Sequence, residues 1–210
     1  EGLNGYVVEC ECDLANGLRS FNIVGLPDTS IKESKERVRS AIENTGIRFP
    51  VKRITINLAP ANLRKEGSQL DLAIAMAILQ SMGVVEDFSE KWAFIGELSL
   101  DGRLNPVNGS LCMVLSLKDL GYERVYIPKQ NAQECSMVKG IEKVCVESLD
   151  EIIGILNGEQ ETKILDDIDI MQQEIHYDVD FSDIKGQKFL KRAMEISAAG
   201  FHNLLMIGPP

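Results

Sequence analysis

Histidine is nearly missing from this chain of 210 residues: there are two, His176 and His202, standing alone. A His-based triad or a histidine metal cluster therefore has little material to work with. Cysteine is sparse and odd in number, with five at positions 10, 12, 112, 135 and 145, which excludes a disulfide framework. Neither C-x-x-C nor H-E-x-x-H occurs, and the G-x-S-x-G nucleophile elbow is missing too. Cys10 and Cys12, on a strand, share one face and read as reduced packing thiols. No metal site is expected.

Long apolar runs are lacking as well. The most apolar helical stretch, 72–79, falls far short of the ~20 residues that cross a bilayer. The first residues do not pair a basic region with an apolar one, so no secretion signal is read there. The chain lacks an initiator Met and is read as trimmed, and the expected compartment is the cytoplasm. Positive charge is short, with 22 basic against 32 acidic residues and a net charge of −10. A globally basic nucleic-acid binder is excluded, and only local patches remain.

What is present is an ordinary globular balance, 44% hydrophobic and 26% charged, sufficient for a core and against wholesale disorder. Residues 6–13 alternate like a strand, and 21–24 read as its hairpin or neighbouring partner across the turn pair Asn16-Gly17. Ser30 and Glu33 fit a capping box for a helix with Ile31, Val38, Ala41 and Ile42 on its apolar face, stopped by Gly46. A strand over 51–58 precedes a helix over 70–82 that is apolar nearly all round and hence buried. Residues 94–100 and 103–107 form a hairpin about Asp101-Gly102. A helix over 111–120, a strand over 124–127, a short helix over 131–138, a strand over 144–146 and a helix over 149–156 complete a mixed α/β order. Residues 159–183 hold nine acids against the single base Lys163 and read as a linker. Order is expected to return near Asp180, with a helix over 187–199 and a short buried strand over 203–207 running into Gly208-Pro209-Pro210.

Residues 181–187 (FSDIKGQ), Lys191-Arg192-Ala193 and residues 198–210 (AAGFHNLLMIGPP) resemble the opening of an AAA+ ATPase module, in the form found in magnesium-chelatase-like ATPases. The resemblance implies that Asp183, Ile184 and Gly186 lie near the adenine, and that Gly208, Pro209 and Pro210 begin the Walker A loop. That loop needs a Lys for the β/γ-phosphates and a Ser or Thr for Mg²⁺. Neither is reached, so ATP and Mg²⁺ are cofactors implied for an intact parent and none is expected on this piece.

Residues 96–109 (GELSLDGRLNPVNG) look like the hairpin of a Lon-protease-type domain, whose fold is the ribosomal protein S5 domain 2-like one. Residues 21–38 (FNIVGLPDTSIKESKERV) and 53–79 (RITINLAPANLRKEGSQLDLAIAMAIL) resemble the N-terminal domain of the ComM family, the competence-associated magnesium-chelatase-like proteins. The implied organisation is an α/β Lon-like domain over 1–157, an acidic linker over 158–179 and a truncated AAA+ start over 180–210.

Lon-type peptidases pair a Ser nucleophile with a Lys. The resemblance places Gln69 or Leu70 at the nucleophile position and Met113 at that of the Lys, so no catalytic residue is assigned. Ser68 with Lys118 is the shifted pair on offer, and Ser68 reads better as a loop or helix-cap hydroxyl. Lys52, Arg53, Arg64 and Lys65, with Lys32, Lys35, Arg37 and Arg39, supply local positive charge for phosphates. Glu33, Glu36 and Glu66 interleave them, as on a solvated mixed-charge face. Tyr6, Trp92 and Phe94 either stack on bases or belong to the core. The resemblance implies a parent that assembles with itself into a ring, a hexamer, and drives branch migration of DNA with ATP, with no membrane partner. A metal-chelatase subunit, an active Ser-Lys peptidase and a structural oligomerisation domain are the rival readings.

Overall fold

Alternating apolar and polar residues in Glu9–Ala15 (β1), Ser20–Val24 (β2) and Arg53–Ala59 (β3) build a three-stranded sheet in the computed structural model, which describes residues 5–168 and 180–208. β3 lies in the middle, antiparallel to β1 and parallel to β2. This corrects the hairpin or neighbour pairing expected for the first two strands. The segment Asn16–Arg19 is a loop, and helix Thr29–Asn44 (α1) carries the chain from β2 to its parallel neighbour β3. Parallel strands require such a crossover. Cys10, Cys12, Leu14, Ile54, Ile56 and Leu58 face the core, leaving Glu9, Glu11, Asp13, Arg53, Thr55 and Asn57 on the outer face.

α1 buries Ile31, Ser34, Val38, Ala41 and Ile42. Its cap is Asp28, not the Ser30/Glu33 box: the Asp28 carboxylate accepts the Ile31 N–H at 2.8 Å. Asp28 has the extended backbone a capping residue needs, whereas Ser30 already lies inside the helix. Helix Asp71–Ser81 (α2) buries Leu72, Ile74, Ala75, Met76, Ile78 and Leu79, the central position its all-round apolar sequence predicts.

Beyond it, Trp92–Phe94 (β4), Arg124–Pro128 (β7) and Glu142–Val146 (β8) form an all-parallel sheet in the order β4-β7-β8. The hairpin lies between β4 and β7 in sequence, with Glu97–Leu98 (β5) antiparallel to Leu104–Asn105 (β6). The run 94–100 is therefore not one strand. Phe94 pairs with β7, and the chain then turns away as Gly96 donates to the Gln69 carbonyl at 3.0 Å. Helices Ser110–Asp119 (α3), Ala132–Cys135 (α4) and Leu149–Leu156 (α5) complete this unit.

The first of two compact units runs to Ile168. The start of the acidic stretch is tied into it: Val144 bridges Ile164, Leu165 N–H donates to the Lys143 carbonyl at 2.7 Å, and the buried Lys143 ammonium bonds the Asp167 carboxylate and the Val138 carbonyl. In the second unit, a short 3₁₀ turn Phe181–Asp183 precedes helix Lys188–Gly200 (α6). The buried strand expected over 203–207 is not formed, and Leu205 and Ile207 are 83% and 90% exposed. An apolar sequence cannot make a strand without a ladder partner, and no described segment offers one. No described helix is long and apolar enough to cross a membrane.

Candidate functional site

A cavity of about 780 Å³ opens in the first unit, with Gln69, Leu70, Met113, Ser116 and Trp92 among its lining residues. Gln69, Leu70 and Met113, the positions that the Lon-type resemblance matches to the Ser and the Lys, all line it. The side chains there are an amide or an isobutyl group on one side and a thioether on the other, and none of these can exchange a proton as a nucleophile–base pair must. The strand lead-in forms part of the wall: Gly5 N–H donates to Ser116 Oγ at 2.9 Å, and Tyr6 Oη donates to the Arg64 carbonyl at 2.9 Å.

Ser68 and Lys118 are engaged apart from each other. The Ser68 hydroxyl donates to the Glu97 carboxylate, which also accepts Asn105 Nδ2 at 2.9 Å. Lys118 lies at the end of α3 against Gly140. Ser68 is a loop hydroxyl and does not cap α2. The bonds from Ser68 and then Asn105, helped by the Arg37 charge and opposed by burial, hold the Glu97 carboxyl below its ordinary value. A carboxylate depressed on folding stabilises above its unfolded pKa, about 4.3 for Glu, and that contribution fades as pH falls through the folded value. Glu97→Gln is therefore expected to flatten the loss of stability below about pH 4.3, read from urea midpoints across an acid series. An unchanged acid limb contradicts this.

Beside Ser68 lies a buried charge network that the sequence reading missed. Asp71, at the first turn of α2, has no exposed surface and accepts Arg37 Nε at 2.6 Å, Arg37 Nη2 at 3.1 Å, the Leu98 N–H at 3.3 Å and the buried Ser34 hydroxyl. One carboxylate thus ties α1, α2 and β5. The available signal was an Asp opening a helix otherwise apolar all round, a position that demands a partner for the charge.

The basic candidates scatter. Lys65 is 1% exposed, its ammonium donating to the Pro60 carbonyl, because its backbone pairs with Leu26 and Asp28 and draws it inward. Arg64 is paired with Glu66 at 3.1 Å, Arg39 with Glu43 at 3.3 Å, and Arg37 belongs to the Asp71 network. Lys52 and Arg53 are exposed. Of the aromatics, Trp92 lies under the Arg124 guanidinium at 4.3 Å and Phe94 stacks on buried Tyr126 at 4.9 Å, so both are used internally. Cys10 and Cys12 face the core together, and burial pushes the Cys10 thiol up to about 12, so it is held as a packed thiol.

In the second unit Asp183 is held by its own turn, its carboxylate accepting the Asp180 N–H at 2.9 Å while the Asp180 carboxylate accepts Ser182 N–H at 2.7 Å. Ile184 follows with an exposed side chain, and Gly186 takes a positive φ of 75° where the chain turns into α6. Gly208 is exposed, and Pro209 and Pro210 lie outside the described residues.

Fold and cavity together define a mixed α/β domain with parallel and antiparallel pairing, linked in sequence to a second, largely helical unit. The family described as subunit ChlI of Mg-chelatase matches residues 10–131, and a second description, magnesium chelatase, subunit ChlI, matches residues 180–210. The chain belongs to this magnesium-chelatase ChlI family. It is 38% identical to the competence protein ComM of Haemophilus influenzae, over 100% of this chain and 42% of that protein. It is 37% identical to the uncharacterized protein YifB of Escherichia coli K12, over 100% of this chain and 41% of that protein. It also resembles Lon protease 2 of Bacillus subtilis, at 27% identity over 70% of this chain and 29% of that protein. The chain spans about two fifths of the length of the ComM and YifB proteins it matches.

Proposed function

We propose that this chain is the N-terminal part of a ComM-type, cytoplasmic AAA+ ATPase whose intact parent drives branch migration of DNA during transformation and recombination. The similarity to ComM along the whole chain carries this reading, and the match at 180–210 supports a P-loop module beginning there. In this reading residues 1–157 have the ribosomal protein S5 domain 2-like, Lon-type fold. They act as a non-catalytic tier of a self-assembled ring, a hexamer formed through the AAA+ module, reached through the acidic stretch 158–179. Asp183, Ile184 and Gly186 would flank the adenine of ATP, and Gly208, Pro209 and Pro210 would open the loop around its phosphates. With Mg²⁺, that nucleotide supplies the phosphoryl-transfer energy.

The family description keeps a second reading in view, a metal-chelatase ATPase subunit. ATP hydrolysis by the intact parent separates the two. The motor reading expects stimulation by branched over linear DNA at a stated salt concentration, and the chelatase reading expects none. The peptidase alternative is tested on fluorescent casein: no cleavage is expected from the chain, and turnover lost in Ser68→Ala would revive it.

A further inference from the structure

The tip of the first sheet gathers cations from two stretches of chain, the loop before β2 and the loop that joins α1 to β3. β2 and β3 run parallel with Ser20 opposite Arg53, so the residues just before them, Arg19 and Lys52, are adjacent at the same end. Earlier in the loop that ends at Lys52, Phe49 packs on Phe21 with ring centroids 5.8 Å apart, which keeps Arg48 at this end of the sheet. Arg19, Arg48, Lys52 and Arg53 are all exposed, and none has an ion-pair or side-chain hydrogen-bond partner among the described residues. The acids around them are few. Asp13 is on the outer face opposite Thr55, one outward position from Arg53; Glu43 is paired with Arg39; and Asp101, brought near α1 by the bond from Asn44 to the Leu100 carbonyl, is paired with Arg103 at 3.0 Å. On a chain of net charge −10, four unpaired cations against one unpaired acid form a local field of opposite sign.

Between these cations, Leu18 stands 93% exposed on the loop after β1, and Val51 is 62% exposed beside Lys52. Cations flanking a projecting aliphatic side chain suit a nucleic-acid backbone with an opened base step: guanidinium groups bind phosphates in bidentate fashion, and a Leu can wedge against an unstacked base. We infer that this tip, Leu18 with Arg19, Arg48, Lys52 and Arg53, is a docking surface for the phosphate backbone of branched DNA. The inference rests on the motor reading above and adds to it the surface by which the N-terminal tier touches its substrate.

The test is fluorescence anisotropy of this chain with a four-way junction and with linear duplex of the same sequence. Four phosphate contacts give a log–log salt slope of about −3.6, hence about 150-fold weaker binding at 200 than at 50 mM salt. Replacing all four cations (Arg19→Gln, Arg48→Gln, Lys52→Gln, Arg53→Gln) is expected to abolish that slope. Lys32→Gln, at the other end of α1, is expected to leave it unchanged or nearly so. Leu18→Ser is expected to remove the preference for the junction while preserving the slope. A fourfold variant that binds like the parent chain overturns the proposal, as does equal binding to polyglutamate, which would make an acidic protein the partner. If the intact parent's ATPase responds to branched DNA equally with and without the four substitutions, this surface falls while the motor reading stands. If the chain binds junctions through the tip but the intact ATPase ignores DNA, the motor reading falls instead.

Discussion

Asp71→Ala is expected to destabilise the first unit by about 3–5 kcal/mol, because it strands a charge in a place that water reaches poorly. The carboxylate is fully buried and takes bonds from Arg37, Ser34 and the Leu98 amide, while the Arg37 side chain keeps 21% of its surface exposed. That partial exposure lets the guanidinium recover some hydration and places the effect toward the lower end. Replacing both members, Arg37→Met with Asp71→Leu, is expected to cost much less than the single change, since removing a whole buried pair is often close to neutral. Urea unfolding of the two singles and the double at pH 7 gives the coupling. An Asp71→Ala variant as stable as the parent chain contradicts the account of this network.

The second large effect is Gly25→Ala, expected to cost about 3 kcal/mol or more from an excluded conformation and a clash that cannot relax. Gly25 ends β2 at φ 99°, and a Cβ there would lie 2.9 Å from the Leu58 carbonyl carbon and closer still to its oxygen. The obstacle is main chain of the central strand, so no side-chain rotation relieves it. Leu26, next in line, already holds a positive φ of 56°, which leaves the turn into α1 little freedom to absorb a shift. Thermal unfolding measures the cost. A change of under about 0.5 kcal/mol, ordinary for a surface site, would show that the turn is looser than this geometry implies.

Both sites explain where the sequence could be read and where it could not. The run 72–79 announces a buried helix because every position is apolar, and α2 is buried as that requires. Gly46 and Gly121 stop their helices at positive φ, as read. Alternation in β1 and β2 reveals which side chains face inward but carries no information about which strand becomes the neighbour. The parallel pairing with β3 depends on the crossover through α1, which periodicity does not encode. Lys65 illustrates the same limit on one side chain. Beside Arg64 it looks solvated, yet backbone bonds to Leu26 and Asp28, distant in sequence, pull it inside. The cavity's lining was legible only through family resemblance, which named Gln69, Leu70 and Met113 before the structure placed all three around it. The segment 203–207 shows apolar composition outrunning structure, since a strand needs a neighbour that no described segment provides.

Under the proposed function this chain is the N-terminal part of a DNA-driving ATPase. The most direct test is migration of a synthetic four-way junction by the intact parent, with ATP and Mg²⁺, at a stated salt concentration. Conversion of the junction into two forked duplexes is expected, requiring ATP hydrolysis and weakening sharply as salt is raised. Vigorous ATP hydrolysis that leaves the junction intact, at a rate indifferent to DNA, would contradict the proposed function.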